Sequence, residues 1–222
     1  MRGRLGWSRV LQLALLLGLA SAAARGAPSD VLVDVNPTTV ERATYPRNNP
    51  PAVLMVTNSE PAGRCLTNFS CAIYVSAIFP PPGTENIPAA IGSVRVVVSQ
   101  DIAMFLVEGA SPAVLAHEEA HRKISEHYYA SAKAIVQALA GPYVGWKFAL
   151  SDKANRVAAI AAIHAIQDEM TYAYRRETGE RCRFAQEQFD LITNHGLNPI
   201  SSEEAMARAL ALEETNWAAN RK

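Results

Sequence analysis

Cysteine is scarce in this chain: three among 222 residues, at Cys65, Cys71 and Cys182, with no C-x-x-C pair. That spacing argues against a cysteine-built metal site. No apolar run reaches the roughly 20 residues needed to cross a bilayer. The longest, Leu11 to Ala20, lies close to the start. Beyond residue 24 clusters of basic residues are also lacking, which argues against nucleic acid as a partner, because nothing there would neutralise a run of phosphates. There is no internal repeat and no low-complexity tract.

What the first residues do contain is ordered. Arg2, Arg4 and Arg9 form a basic start, the Leu11–Ala20 stretch follows, and Ser21-Ala22-Ala23-Ala24 supplies small residues for cleavage. This order predicts a secretory signal peptide over 1–24, cut after Ala22 or Ala24, and hence an exported protein, periplasmic or extracellular. The whole chain has a formal net charge of zero, so removal of three arginines and no acid leaves −3. Residues 25–222 are expected to form one domain large enough to bury its own core. Export permits disulfides, and Cys65 and Cys71 are close in sequence. A Cys65–Cys71 bridge with Cys182 as a buried thiol is the expectation, and a bridge from Cys182 to one of the others is the alternative.

Short β-branched runs bounded by turn residues predict strands at Val31–Val35, Ala52–Thr57, Cys71–Phe79, Val94–Val98 and Ile102–Val107. Past residue 110 the apolar period changes. Ser111-Pro112 is a helix start, with Ser as N-cap and Pro at the first helical position. Val114, Ile124, Tyr128 and Ile135 then recur at helical spacing until Gly141-Pro142. Further helices are predicted from Asp152 to Thr178, stopped by Gly179, and from Glu180 to about Thr193, ending at Asn194-His195-Gly196. A last one runs from Ser201 to about Ala219, where Ser201 and Glu204 form a capping-box pattern. Strands first and helices afterwards predict an α+β fold, with a small N-terminal β-sheet followed by a helical half.

The first of these helices carries His117-Glu118-Glu119-Ala120-His121. Histidines four apart on a helix project from one face, one turn apart, so two neutral imidazoles can hold one Zn²⁺ from a rigid support. Both share their face with Val114, Ile124 and Tyr128, which points them inward. Glu118 adjoins the pair without having to bind the ion. Its carboxylate is placed to take a proton from water as the oxygen attacks a carbonyl, then to return it to the leaving amine. The alternative is a solvated helix surface bearing two histidines and an acidic pair.

Residues 117–121 resemble the HExxH motif of the zincin metallopeptidases. The wider stretch Leu115 to His121, followed by Ile124, Ser125, Glu126 and Tyr128, is similar to a bacterial family described as predicted secreted zinc-dependent proteases. That family carries a later segment of the form aromatic-Asp-x-x-Thr-x-His-Gly. Here Phe189-Asp190-Leu191-Ile192-Thr193-Asn194-His195-Gly196 resembles it, with Phe in the usual Tyr place. The resemblance covers roughly residues 94–217. It implies a zincin-like fold and a zinc-dependent peptidase, and leaves the substrate open.

A catalytic zinc site needs a third protein ligand. His195 is the expected one: it ends a predicted helix beside Gly196, where the backbone can turn back towards the first helix, and it lies in the second resembling segment. Asp190 is then expected to orient a ligand from behind. The competing reading makes His195 a helix-capping residue. Glu169 and His127 are the alternative ligands. His127 stands ten residues after His117, where metzincins place their third ligand, but those enzymes have Gly at the position held here by Ile124. On an unbroken helix His127 would lie about 9 Å along the axis from His121. No oxyanion donor stands out, since His164, Tyr172 and Tyr174 fit ordinary surface or core places at least as well. The reading is therefore an exported zinc peptidase acting on a peptide or protein substrate, with His117, His121 and His195 as ligands and Glu118 as general base. Its rival is a non-catalytic exported protein that keeps the zinc as a staple or the scaffold as a binding module.

Overall fold

The computed structural model describes residues 30–54, 62–81, 88–148 and 153–220; the predicted signal segment lies outside them. The fold is α+β. Strands β1 (Val31–Val35), β2 (Thr39–Tyr45), β3 (Gly63–Ile78), β4 (Ala89–Val107) and β5 (Lys147–Phe148) form one sheet around β4. β3 runs antiparallel to β4 from Ile78↔Ala90 to Gly63↔Leu106. A strand has two edges, so the partners on the other edge of β4 follow one another along it. They are β5 at Ala89–Ala90, then β1 and β2, both parallel, at Val94–Val98 and Asp101–Val107. The outer edge of β3 carries no strand among the described residues.

β4 is one strand where two were expected. The polar Ser99-Gln100-Asp101 reads as an interruption, yet Gln100 is buried and its Oε1 accepts a hydrogen bond from Thr38 Oγ1 at 2.8 Å, which lets the strand continue. The buried positions change phase from Ala89 and Ile91 to Val94, Val96 and Val98. The register shift against Ser76/Ala77 marks the β-bulge responsible. β2 was not foreseen, because Thr39–Tyr45 mixes charge with few apolar residues. The expected strand at Ala52–Thr57 begins instead as a 3₁₀ turn, Ala52–Leu54, after Pro50-Pro51, and its remainder lies outside the described residues.

Helices α1 (Pro112–Ala130) and α2 (Ala132–Ala140) replace the single helix expected up to Gly141, with a break at Ser131. Ser111 caps α1 as predicted, its Oγ accepting from Val114 N–H. α3 (Lys153–Arg175) does not stop at Gly179. It passes through a π-helical turn, Arg176–Glu180, straight into α4 (Arg181–Thr193). Tyr174, Thr178, Cys182, Ala185 and Phe189 are all buried, so apolar packing continues on both sides of Gly179 and outweighs its weak helix propensity. α5 (Ser202–Asn220) starts where the capping pattern placed it, with Glu204 N–H donating to Ser201 Oγ.

Two cores result. Val94, Val96 and Val98 of β4 meet Tyr129 of α1, Val136 of α2 and Ile166, Met170 and Tyr174 of α3. Ala120, Ile124 and Tyr128 of α1 meet Cys182, Ala185 and Phe189 of α4 and Ala205 and Ala209 of α5. The second core decides which residues of α4 reach the histidines.

The expected Cys65–Cys71 bridge does not form, and all three cysteines are free thiols. Both lie on β3, paired with Met104 and Val98 respectively. Six residues of extended strand separate their Cα atoms by about 20 Å, against the roughly 7 Å limit for a disulfide. Cys182 is the buried thiol that was expected, and burial pushes its pKa up to about 11.

Candidate metal centre

α1 delivers His117, Glu118 and His121, all buried, to the bottom of a cleft of about 1490 Å³. Its walls are the start of β3, from Ala62 to Phe69, and one stripe of the α3–α4 helix. Phe189 of α4 lies under both imidazoles, with ring centroids 4.9 Å from His117 and 5.0 Å from His121. It fixes the ring positions by contact.

The residue after Phe189 completes the group. Asp190 Oδ1 is 3.1 Å from His117 Nε2 and 3.0 Å from His121 Nε2, and the two nitrogens are 3.2 Å apart. These three atoms form an almost equilateral triangle. Ligand atoms about 2.0–2.1 Å from a tetrahedral zinc lie about 3.3 Å from one another, so the triangle has the size of one face of that tetrahedron. Two imidazole nitrogens and a carboxylate oxygen are also a donor set that suits zinc. The residues present fit a metal ion. Burial works to raise the pKa of Asp190, but the hydrogen bonds and charges of the two histidines outweigh it and hold the carboxyl below its ordinary range. His121 Nδ1 is buried without a partner, so its outer nitrogen lacks the acceptor that a metal-bound histidine usually has.

His195, expected as the third ligand, is not in this group. Its ring is 77 % exposed and its Nδ1 lies 3.7 Å from Asp190 Oδ1, beyond a hydrogen bond. It stands on a left-handed turn, with φ 46° at Asn194, 53° at His195 and 84° at Gly196. The turn closes α4 by returning His195 N–H to Asp190 O and Asn198 N–H to Thr193 O. Two successive left-handed residues other than glycine cost on the order of 1–3 kcal/mol each, and such strain collects at functional sites. Gly196 occupies the turn where it passes His117: a Cβ there would lie 3.6 Å from Nδ1, and the positive φ disfavours any other residue. The alternative ligands are elsewhere. Glu169 is exposed on α3 and hydrogen-bonds Tyr143, and His127 is exposed with its ring edge-on to Tyr128. His164 and Tyr172 are exposed, and Tyr174 is buried in the first core.

Glu118 points to the sheet side of the triangle. Burial raises its pKa, against the lowering influence of His121, His117 and a hydrogen bond from the Cys65 backbone N–H. Its Oε2 is buried with no hydrogen-bond partner among the described residues. Gly63 makes this placement feasible: a Cβ there would sit 2.8 Å from Glu118 Cγ and Oε1 and 3.0 Å from Val114 Cγ1. No sequence pattern singles out Gly63, because the contact joins residues from a strand and a helix.

A second unforeseen feature braces the centre. Glu213 of α5, 1 % exposed, accepts two hydrogen bonds from Arg181 of α4 at 2.7 and 2.9 Å and one from Tyr128 of α1 at 2.9 Å. The three helices of the second core are thereby tied together. Comparison with protein-family models, with curated proteins and with solved structures returned no match.

Proposed function

We propose that this chain is an exported zinc-dependent peptidase of zincin type, cleaving peptide bonds with Glu118 as general base and His117, His121 and Asp190 as zinc ligands. One observation carries the reading: a buried carboxylate with an unpartnered oxygen stands beside a three-donor group in an open cleft. Structural zinc sites are closed by four protein ligands, whereas catalytic ones keep a position open. Among the described residues no fourth His, Cys, Asp or Glu joins the three, which favours the catalytic reading over a staple.

The walls of the cleft suit an extended peptide. Cys65 directs its N–H to Glu118, and Ile73 directs its carbonyl to Gln167 Nε2 on α3. Residues an even number apart on a strand turn their backbone groups the same way, so Thr67 and Phe69 also present theirs at the outer edge of β3. A substrate strand laid there would gain main-chain hydrogen bonds without sequence preference. Zinc held by the triad would supply Lewis-acid chemistry, lowering the pKa of water towards about 7 and polarising the scissile carbonyl. Glu118 Oε2 takes the proton of the attacking water, and the protonated carboxyl then delivers it to the departing amine nitrogen as the C–N bond breaks.

The test joins metal analysis of the purified protein to cleavage of a broad peptide library. We expect about one zinc per chain, cleavage by the parent, and loss of cleavage by about 10²–10⁴-fold in Glu118→Gln with zinc retained. A zinc-loaded parent that cleaves nothing in the library would leave the non-catalytic, metal-holding reading in its place.

A further inference from the structure

Zinc held by the triad would take up part of the negative charge that grows on the carbonyl oxygen, and a hydrogen-bond donor from the protein beside it would stabilise that charge further. The cleft offers few. Tyr172 and Arg175 line it, but they precede Asp190 by 18 and 15 residues along one helical run, about 27 and 22 Å. Arg183 is paired with Glu187 at 3.4 Å. Gln186 is spent on Ser125 Oγ and Cys182 Sγ, at 2.8 and 3.2 Å. The Cβ direction of Gly63 faces Glu118 and Val114, so Arg64, next along β3, projects its side chain from the opposite face of the sheet.

His195 is placed differently: the carboxylate within its ion-pair reach is Asp190, a member of the donor group itself. It lines the same cleft, its ring stands 3.7 Å from the carboxylate that completes the donor triangle, and neither ring nitrogen makes a hydrogen bond among the described residues. Its backbone is held in a strained left-handed turn fixed at both ends by hydrogen bonds to α4. An exposed imidazole on a left-handed turn, within ion-pair reach of Asp190 but not hydrogen-bonded, keeps its ring N–H available to a group bound in the cleft.

We infer that His195 is a catalytic residue whose ring N–H donates a hydrogen bond to the oxyanion formed on the scissile carbonyl. The inference rests on the peptidase reading. No proton is transferred in this contact. The water oxygen bonds to the carbonyl carbon, its proton goes to Glu118, the carbonyl π pair moves to oxygen, and His195 stabilises that charge until the C–N bond breaks.

The experiment compares His195→Ala and His195→Gln with the parent in three measurements. They are zinc stoichiometry, kcat and KM on the best-cleaved library peptide, and Kd for a phosphinic analogue of that peptide, which mimics the charged tetrahedral state. We expect His195→Ala to keep its zinc, lose about 100-fold in kcat with KM within about threefold, and weaken the analogue far more than the product peptides. His195→Gln, which keeps a donor, recovers part of both. Loss of zinc in His195→Ala would make it a ligand and overturn the inference. Unchanged kcat, or a rise in KM alone, overturns it while leaving the peptidase reading intact. A zinc-loaded parent with no activity overturns both.

Discussion

Asp190 Oδ1 lies 3.0 Å from His121 Nε2, although 69 positions of chain separate the two residues. The contact turns a pair of helical histidines into a three-donor group, and its consequence for metal binding is direct. His117→Ala, His121→Ala and Asp190→Ala should each weaken zinc by more than about 100-fold, the upper range for residues that only support a ligand. His195→Ala should stay within about threefold of the parent. Competition with a chelator of known affinity measures all four. If His195→Ala released the metal while Asp190→Ala kept it, the ligand assignment would be reversed.

Glu118 is held where its charge is poorly solvated, so it should cost stability. Its pKa is raised in the folded protein, chiefly by burial. Ionisation at neutral pH is therefore harder in the folded state than in the unfolded one, and the folded state gains relative stability as pH falls and the carboxyl takes up its proton. In zinc-free protein at pH 7, Glu118→Gln should be more stable by about 1 kcal/mol, or ~2–4 °C in Tm. That advantage should shrink as pH approaches the ordinary glutamate range near about 4.3. Thermal melts across pH, in the presence of chelator, decide the matter. A variant less stable than the parent at pH 7 contradicts the account.

Gly63 is where β3 packs against the side chain of Glu118. Gly63→Ala places a Cβ 2.8 Å from Glu118 Cγ and Oε1, which must move the carboxylate away. A shift of about 1 Å at a reacting group costs up to about 100-fold. We expect kcat to fall by about 10–100-fold with zinc content unchanged. Normal kcat in a folded Gly63→Ala protein would show that Glu118 tolerates displacement.

Glu213 answers both Arg181 and Tyr128 from a fully buried position. Removing Glu213 takes the acceptor from Tyr128 and leaves Arg181 with the more distant carboxylate of Glu177, at 4.0 Å. Glu213→Ala should lower stability by about 3 kcal/mol, equivalent to ~6–12 °C in Tm. Leaving Arg181 partly solvated, at 21 % side-chain exposure, keeps the cost at the low end of the buried range. A change below about 0.5 kcal/mol would mean that the network contributes no more than surface pairs do.

Much of this molecule is local and was readable from the chain. The i, i+4 spacing of His117 and His121 follows from helix geometry alone, as does the Ser111 cap of the helix that carries them. The alternating burial of Val94, Val96 and Val98 and the Ser201–Glu204 start of the last helix are equally short-range. What escaped depends on partners distant in sequence. β2 exists because β4 offers it an edge, and Gly179 stays helical because Tyr174 and Cys182 are buried on either side of it. Cys65 and Cys71 are neighbours in sequence but are held far apart, because the strand between them is extended. The site divides in the same way. His117, His121 and Glu118 come with one helix turn, whereas Asp190 reaches them through the packing of Phe189, Ala185 and Cys182 on Ala120, Ile124 and Tyr128. His195 neighbours Asp190 only through the left-handed turn that closes α4. Short-range periodicity specifies which side chains share a face; which face meets which is decided by burying two apolar stripes against each other, and that choice is made only when the whole chain is packed.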